Sequence, residues 1–320
     1  MTDASHTRLA HLPVSLFSTV MGLAGLAIAW KRATHVLGLS DVIWQAIAAF
    51  ASVVFASLLL IYGLKVLRYP HAVKDEMRHP VRMNFFPTLS IGLLLLSIVW
   101  SDTALATAQV LWVLAAALHL AFTLMAMSSW IHHTHYEVKH MNPAWFIPVV
   151  GNIIVPIAGV KFAPIEVSWF FFSIGIVFWL VLLTIVMNRL FFHEALPARL
   201  TPTLFILLAP PAVGFVAWSA LSGGLDSFGR VLYNLALFLT LLLASNALRF
   251  IRLPFFVSSW AYSFPLAAMV IASFVIHAQT GHAPYLWIAV VLLSLLSMLI
   301  AFLVVRTGLA IRAGAICQPE

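Results

Sequence analysis

The stretch Trp260-Ala261-Tyr262-Ser263-Phe264-Pro265-Leu266-Ala267-Ala268 lies in an apolar run, residues 255–276, that carries no charged side chain. A run of that length and composition reads as a membrane-spanning helix. Within it a phenylalanine stands directly before a proline. Pro265 has no N–H to donate and its ring crowds the preceding turn, so the helix is weakened where Phe264 projects.

Composition extends this reading to the whole chain. Of 320 residues, 63% are hydrophobic and 8% are charged, and the mean hydropathy is +1.04. A water-soluble domain of this length cannot bury so much apolar surface, whereas lipid accepts it directly. One cysteine, Cys317, excludes a disulfide framework or a thiolate metal cluster within the chain. The net charge of +7 comes without a basic run, which points to membrane-flanking loops and away from nucleic acid.

Ten apolar windows follow, at 14–30, 42–64, 85–101, 104–131, 144–160, 167–187, 202–220, 231–248, 255–276 and 285–305. Residues 1–320 are therefore expected to form a single all-α, ten-span transmembrane unit. Of the 17 Lys and Arg, only Lys31, Arg32, Lys161 and Arg230 fall opposite the termini. The positive-inside rule then predicts a multi-pass protein of the cell membrane, of the bacterial inner-membrane kind, with both termini cytoplasmic. Loops of about twenty residues at most leave no room for a soluble catalytic domain.

Proline divides the spans into two kinds. Pro87, Pro148, Pro156, Pro202, Pro210, Pro211 and Pro265 all fall in odd-numbered windows, and the even-numbered windows hold none. Irregular backbone at membrane depth is tolerated only against protein or a wet cavity, so the odd spans are expected to line one and the even spans to face lipid. Pro87, Pro148, Pro211 and Pro265 recur at roughly sixty-residue intervals, which predicts five parallel helical hairpins in a ring around a central pore.

The ten windows contain no Asp, Glu, Lys or Arg. Coupled pumps keep ionisable groups at that depth, so the expectation is a passive path. Without carboxylates or a carbonyl filter it does not suit cations, while the positive ends of broken helices favour anions. His119 reads as a neutral packing residue. The cluster His132-His133-Thr134-His135 with His140 reads as a solvated loop and not a metal site. No cofactor and no metal are expected; a haem-bearing membrane oxidoreductase is the rival from another class, and an enzyme is the lesser reading.

Five short stretches also resemble a known family. They are Phe17-Ser18-Thr19-Val20-Met21-Gly22-Leu23-Ala24, His79-Pro80-Val81-Arg82, Asn142-Pro143-Ala144-Trp145-Phe146-Ile147-Pro148, Leu208-Ala209-Pro210-Pro211 and Trp260-Ala261-Tyr262-Ser263-Phe264-Pro265. In this order they are similar to the tellurite-resistance/dicarboxylate transporter family, which includes bacterial TehA, plant guard-cell slow anion channels and yeast malate permeases. The resemblance implies a homotrimer with one pore per subunit, and a phenylalanine gate at Phe264. The family's known substrates include chloride, nitrate and C4-dicarboxylates, so the resemblance does not choose among them. The charge-free spans favour a passive channel for small anions of the chloride or nitrate kind, with a C4-dicarboxylate or tellurite-related carrier as the alternative. Ser18 stands where the family often has glycine. The expected pore lining is Phe17, Ser18, Met21, Phe86, Pro87, Pro148, Pro211 and Pro265.

Overall fold

In the computed structural model, residues 8–132 and 136–318 are described, and among them the regular structure is entirely helical. Ten helices are long and apolar enough to cross a membrane. We number them α1 (Val14–Leu37), α2 (Val42–Arg68), α3 (Arg82–Trp100), α4 (Leu105–His132), α5 (Pro143–Phe162), α6 (Ile165–Phe192), α7 (Thr201–Ser222), α8 (Ser227–Ser245), α9 (Val257–Thr280) and α10 (Ala283–Arg312). A short amphipathic helix, Pro70–Arg78, precedes α3.

Burial separates the two kinds of span. In the odd-numbered helices 67–89% of the most apolar window is buried inside the protein, against 22–33% in the even-numbered ones. Each odd helix packs against two others: α1 against α3 and α9, α5 against α3 and α7, and α7 against α9. The even helices turn large apolar side chains outward, among them Leu60, Leu124, Leu180, Leu241 and Met298. Such surface is stable in hydrocarbon and not in water.

Prolines set the local geometry, though not as mid-helix kinks. Every odd span begins with a 3-10 segment: Val14–Phe17, Arg82–Phe85, Pro143–Trp145, Thr201–Leu208 and Val257–Tyr262. Pro87, Pro148, Pro156, Pro210, Pro211 and Pro265 each occupy one of the first three positions of the α-helical segment that follows, where a missing N–H costs least. Helix α5 breaks twice, reverting to 3-10 at Gly151–Ile154 between two α-helical pieces.

The helices outrun the apolar windows, and this corrects the expectation of charge-free spans. Helix α1 continues past Lys31 and Arg32 to Leu37, and α2 runs through Lys65 to Arg68. Lys and Arg are good helix formers, so the end of an apolar window is not the end of the helix. Lys31, Lys65 and Arg189 are even buried. Lys31 is held there by the Val99 carbonyl at 2.7 Å and by Asp102 at 2.8 Å.

Candidate functional site

A cavity of about 1080 Å³ opens on the face that carries both ends of the described chain and runs inward between the odd helices. Near its mouth it is lined by Lys65, Glu76, His79, Arg82 and Arg199, and deeper by Ser18, Met21, Thr88, Ile91, Gly151 and Pro265. A second, much smaller cavity of about 40 Å³ lies beyond it, lined by apolar side chains and Arg32. Ile154, Val213 and Phe264 alone line both, so they form the partition between the two spaces.

The backbone chemistry of α9 positions the phenylalanine. Its 3-10 start leaves carbonyls without α-helical donors, and the Ser263 hydroxyl donates to Trp260 O at 2.6 Å. Phe264 then lies at the first turn of the α-helical segment, 7% exposed. Opposite it, α1 offers Gly25. A Cβ there would fall 3.5 Å from the Phe264 ring and 2.9 Å from the Ala267 Cβ, so the glycine sets the approach of the two helices. Gly22 does the same one turn earlier, since a Cβ there would collide with the Ser263 hydroxyl.

The same hydroxyl device recurs at the other 3-10 segments. Ser18 donates to Ser15 O, Thr19 to Leu16 O, Thr88 to Phe85 O, Ser90 to Pro87 O and Thr203 to Leu200 O, each three residues back. These protons are thereby committed to the backbone and are not free donors for an ion in the cavity. Ser18 therefore brings a smaller change of polarity than a free hydroxyl would.

Helix α5 solves the problem differently. The single hydroxyl proton of Thr123 in α4 is shared between Pro148 O at 2.7 Å and His119 O of its own helix at 2.9 Å, and Asn152 donates to both the Thr123 hydroxyl and Val149 O. Trp112, also of α4, donates to Val155 O at 2.9 Å. His119 lies fully buried beside this break, its Nδ1 2.8 Å from the Ser90 hydroxyl. A Cβ on Gly151 would fall 2.5–2.6 Å from the His119 ring.

Of the expected lining residues, Ser18, Met21 and Pro265 are on the cavity wall with Phe264. Phe17 points between Phe55 and Tyr62, with ring centroids 5.9 Å from each, and Phe86 between Tyr62 and Phe122. Pro87, Pro148 and Pro211 are likewise off the wall, which is formed instead by their neighbours Thr88, Ile147 and Pro210. One residue is about 100° of rotation on a helix. Large rings at Phe17 and Phe86 fill the layer between inner and outer helices. Ile154 and Val213 escape a sequence reading because a branched apolar residue in a membrane span carries no signal.

The wide mouth is braced by a buried ion pair. Lys65 Nζ lies 2.7 Å from Glu76 Oε2, with side chains 3% and 5% exposed. Glu76 also accepts from the Val14 N–H and the Tyr62 hydroxyl, and Lys65 donates to Leu12 O. Glu76 thus caps the first turn of α1 from the helix Pro70–Arg78. His79 is held below its usual value by burial, then by Arg82 and His140, so it adds little positive charge near neutral pH.

At the opposite ends of the helices, Asp102 lies between Lys31 of α1 and Lys161 of α5, at 2.8 and 2.7 Å. Hydrogen bonds from Lys161 and Lys31 hold its carboxyl well below the usual carboxylate range. His133 and His135 of the histidine cluster lie outside the described residues, and His132 bonds Ser128 O. Among the described residues no group of three or more His, Cys, Asp or Glu is placed to hold a metal ion.

The chain has relatives of known name. A family model described as voltage-dependent anion channel matches residues 11–308. The S-type anion channel SLAH3 of Arabidopsis thaliana is 30% identical over 83% of this chain and 43% of its own length. The guard cell S-type anion channel SLAC1 of the same plant is 29% identical over 83% of this chain and 50% of its own. A tellurite resistance protein TehA homolog of Haemophilus influenzae is 23% identical over 81% and 79%. The chain spans about half the length of SLAH3, SLAH2 and SLAC1.

Proposed function

The chain belongs to the voltage-dependent anion channel family, a family of channels and transporters and not an enzyme class, and on that premise we propose that it is a passive channel for small inorganic anions of the chloride or nitrate kind. Residues 1–320 act as one ten-span unit, with five helical hairpins in a ring around the path and both termini cytoplasmic in the cell membrane. Three copies assemble, each with its own path. Phe264 is the gate. The observation that carries this reading is that Phe264, with Ile154 and Val213, lines both the wide cavity and the small one beyond it.

The mechanism follows from that partition. An anion gathers in the wide cavity, whose mouth bears Lys65, Arg82 and Arg199 alongside Asp75 and Glu76. It passes when the Phe264 ring swings aside. Displacing the ring costs about 2–3 kcal/mol in rotamer strain and lost packing, so the path is open a few per cent of the time or less. Most of the wall beyond the mouth is apolar, so ions bind weakly there and leave quickly.

Phe264→Ala should raise anion current in oocytes or planar bilayers by one to two orders of magnitude. Unchanged current at normal surface expression would remove Phe264 from the gate. A carrier for C4-dicarboxylates is the second reading, favoured by the size of the wide cavity and the cations at its mouth. Exchanging chloride, nitrate and malate under voltage clamp separates the two. Large currents reversing with the anion gradient support the channel, and slow saturable malate flux supports the carrier.

A further inference from the structure

Resting on the anion-path reading, we propose that Arg32 is an anion-binding residue on the far side of Phe264, and that it selects small, weakly hydrated monovalent inorganic anions over dicarboxylates. Arg32 belongs to α1, one turn beyond Ile28, and both line the small cavity with Phe264. It is the one charged side chain on a wall otherwise built of Ile, Leu, Val, Ala and Phe. Arg32 also has part of its side chain in contact with solvent.

The charges nearby are already spoken for. Lys31 is engaged by Val99 O and Asp102, and Lys161 by Asp102. Asp102 thus has a lysine on each oxygen, while Asp41 accepts from Thr34 and Trp44. Arg32 makes no direct hydrogen bond or ion pair among the described residues, and Asp102, already held by the two lysines, attracts it only at longer range. A guanidinium offers five donors in a fixed fork suited to planar or spherical anions. Here that fork has no hydrogen-bond acceptor among the described residues and borders the space an ion occupies on crossing the partition.

Size and polarity set the cargo class. At about 40 Å³ the cavity holds about three water-sized bodies, on a scale where ~10–15 Å³ admits one. That suits a chloride or nitrate and excludes a C4-dicarboxylate. An apolar wall cannot replace hydration, so the cost of shedding water falls on the ion and one guanidinium must offset it. Nitrate, which holds its water less tightly than chloride, is favoured.

The test uses the full chain with Phe264→Ala, where the path is open, in a Cys317→Ser background. Adding Arg32→Gln should raise the external nitrate concentration giving half-maximal outward current at least about tenfold, the scale of a lost charge-assisted bond. Arg32→Lys should recover most of it. Arg32→Cys should respond to impermeant thiol reagents applied outside: a cationic one restores the current and an anionic one suppresses it further. Equal half-saturation with and without Arg32→Gln, or no difference between the reagents, overturns the site while leaving the gate standing. Absence of anion current in Phe264→Ala itself defeats the channel reading and is told apart by that alone.

Discussion

Helices α5 and α9 are both interrupted by proline at membrane depth, and they are held in opposite ways. The breaks of α5 are stitched to the neighbouring outer helix: Thr123 and Trp112 of α4 donate to its freed carbonyls. The break of α9 is closed by its own Ser263, and among the described residues no α10 side chain reaches an α9 carbonyl. Its tie to α10 is one side-chain bond, Trp260 Nε1 to Thr307 Oγ1 at 2.9 Å. Side-chain-to-backbone ties fix a helix against rotation, whereas a self-satisfied turn is free to shift as a unit. The ring that partitions the two cavities thus sits on the helix whose break has fewer ties from its neighbours, α9 being held elsewhere by Tyr233 at Ser273 and by Ser258 at Arg199 O.

The largest expected effect comes from overfilling the anchored helix. Gly151→Ala drives a methyl against His119 at 2.5–2.6 Å and Ile91 Cδ1 at 2.9 Å, and should cost about 1–3 kcal/mol. The matching change facing α9 is Gly25→Ala, which meets Ala267 at 2.9 Å. If α9 yields and α5 does not, Gly25→Ala lowers the melting temperature in detergent by less than half as much. Equal losses would break the contrast. His119→Ala added to Gly151→Ala should restore part of the stability, since it removes the atoms the methyl strikes.

Next is Thr123→Val, which removes a donor from Pro148 O and an acceptor from Asn152. The expected loss is about 1–2 kcal/mol, near the upper end for polar contacts between membrane helices. Thr123→Ser should recover most of it. Thr307→Val on the other helix should cost about 1 kcal/mol or less but raise resting anion current by loosening α9. A Thr307→Val variant with the larger melting loss and unchanged current would reverse the assignment of fixed and movable helices.

How far the sequence carried this picture depends on which physical signal each part emits. Ten spans and the odd–even division were legible, because apolar length and proline position are one-dimensional properties. Phe264 was singled out by the residue beside it, Pro265. Azimuth was not legible: Phe17, Phe86, Pro87, Pro148 and Pro211 were expected on the lining, yet a single residue's rotation puts Thr88, Ile147 and Pro210 there. Helix ends were also hidden, because Lys31 and Arg32 terminate an apolar window without terminating a helix. Hence the buried Lys65–Glu76 pair had no signal beyond a charge near a window's edge, and Arg32 was legible only as one of the cations opposite the termini and not as the wall of a cavity.

The smallest expected effect concerns Asp102, which ties α1 to α5 through Lys31 and Lys161 and leaves α7 and α9 outside the clamp. On their side, Asp226 accepts from the Gly229 N–H and the Trp218 indole, both close in sequence. Asp102 is half exposed, so its pairs are worth about 1 kcal/mol or less. The sign of the pH dependence follows from its lysine partners, which depress the folded-state value below the ~3.9 of an unfolded aspartate. As pH falls, the unfolded chain takes up the proton first. The contribution is therefore complete above about pH 5 and is lost progressively below pH 4, as the folded-state value is approached. Melting curves of the wild type and Asp102→Asn should differ by a constant few degrees from pH 5 to 7 and converge in stronger acid. A gap that already closes between pH 7 and 5 would mean that the clamp is not a lysine-held carboxylate. The fixed half would then owe its rigidity to the α4 contacts alone.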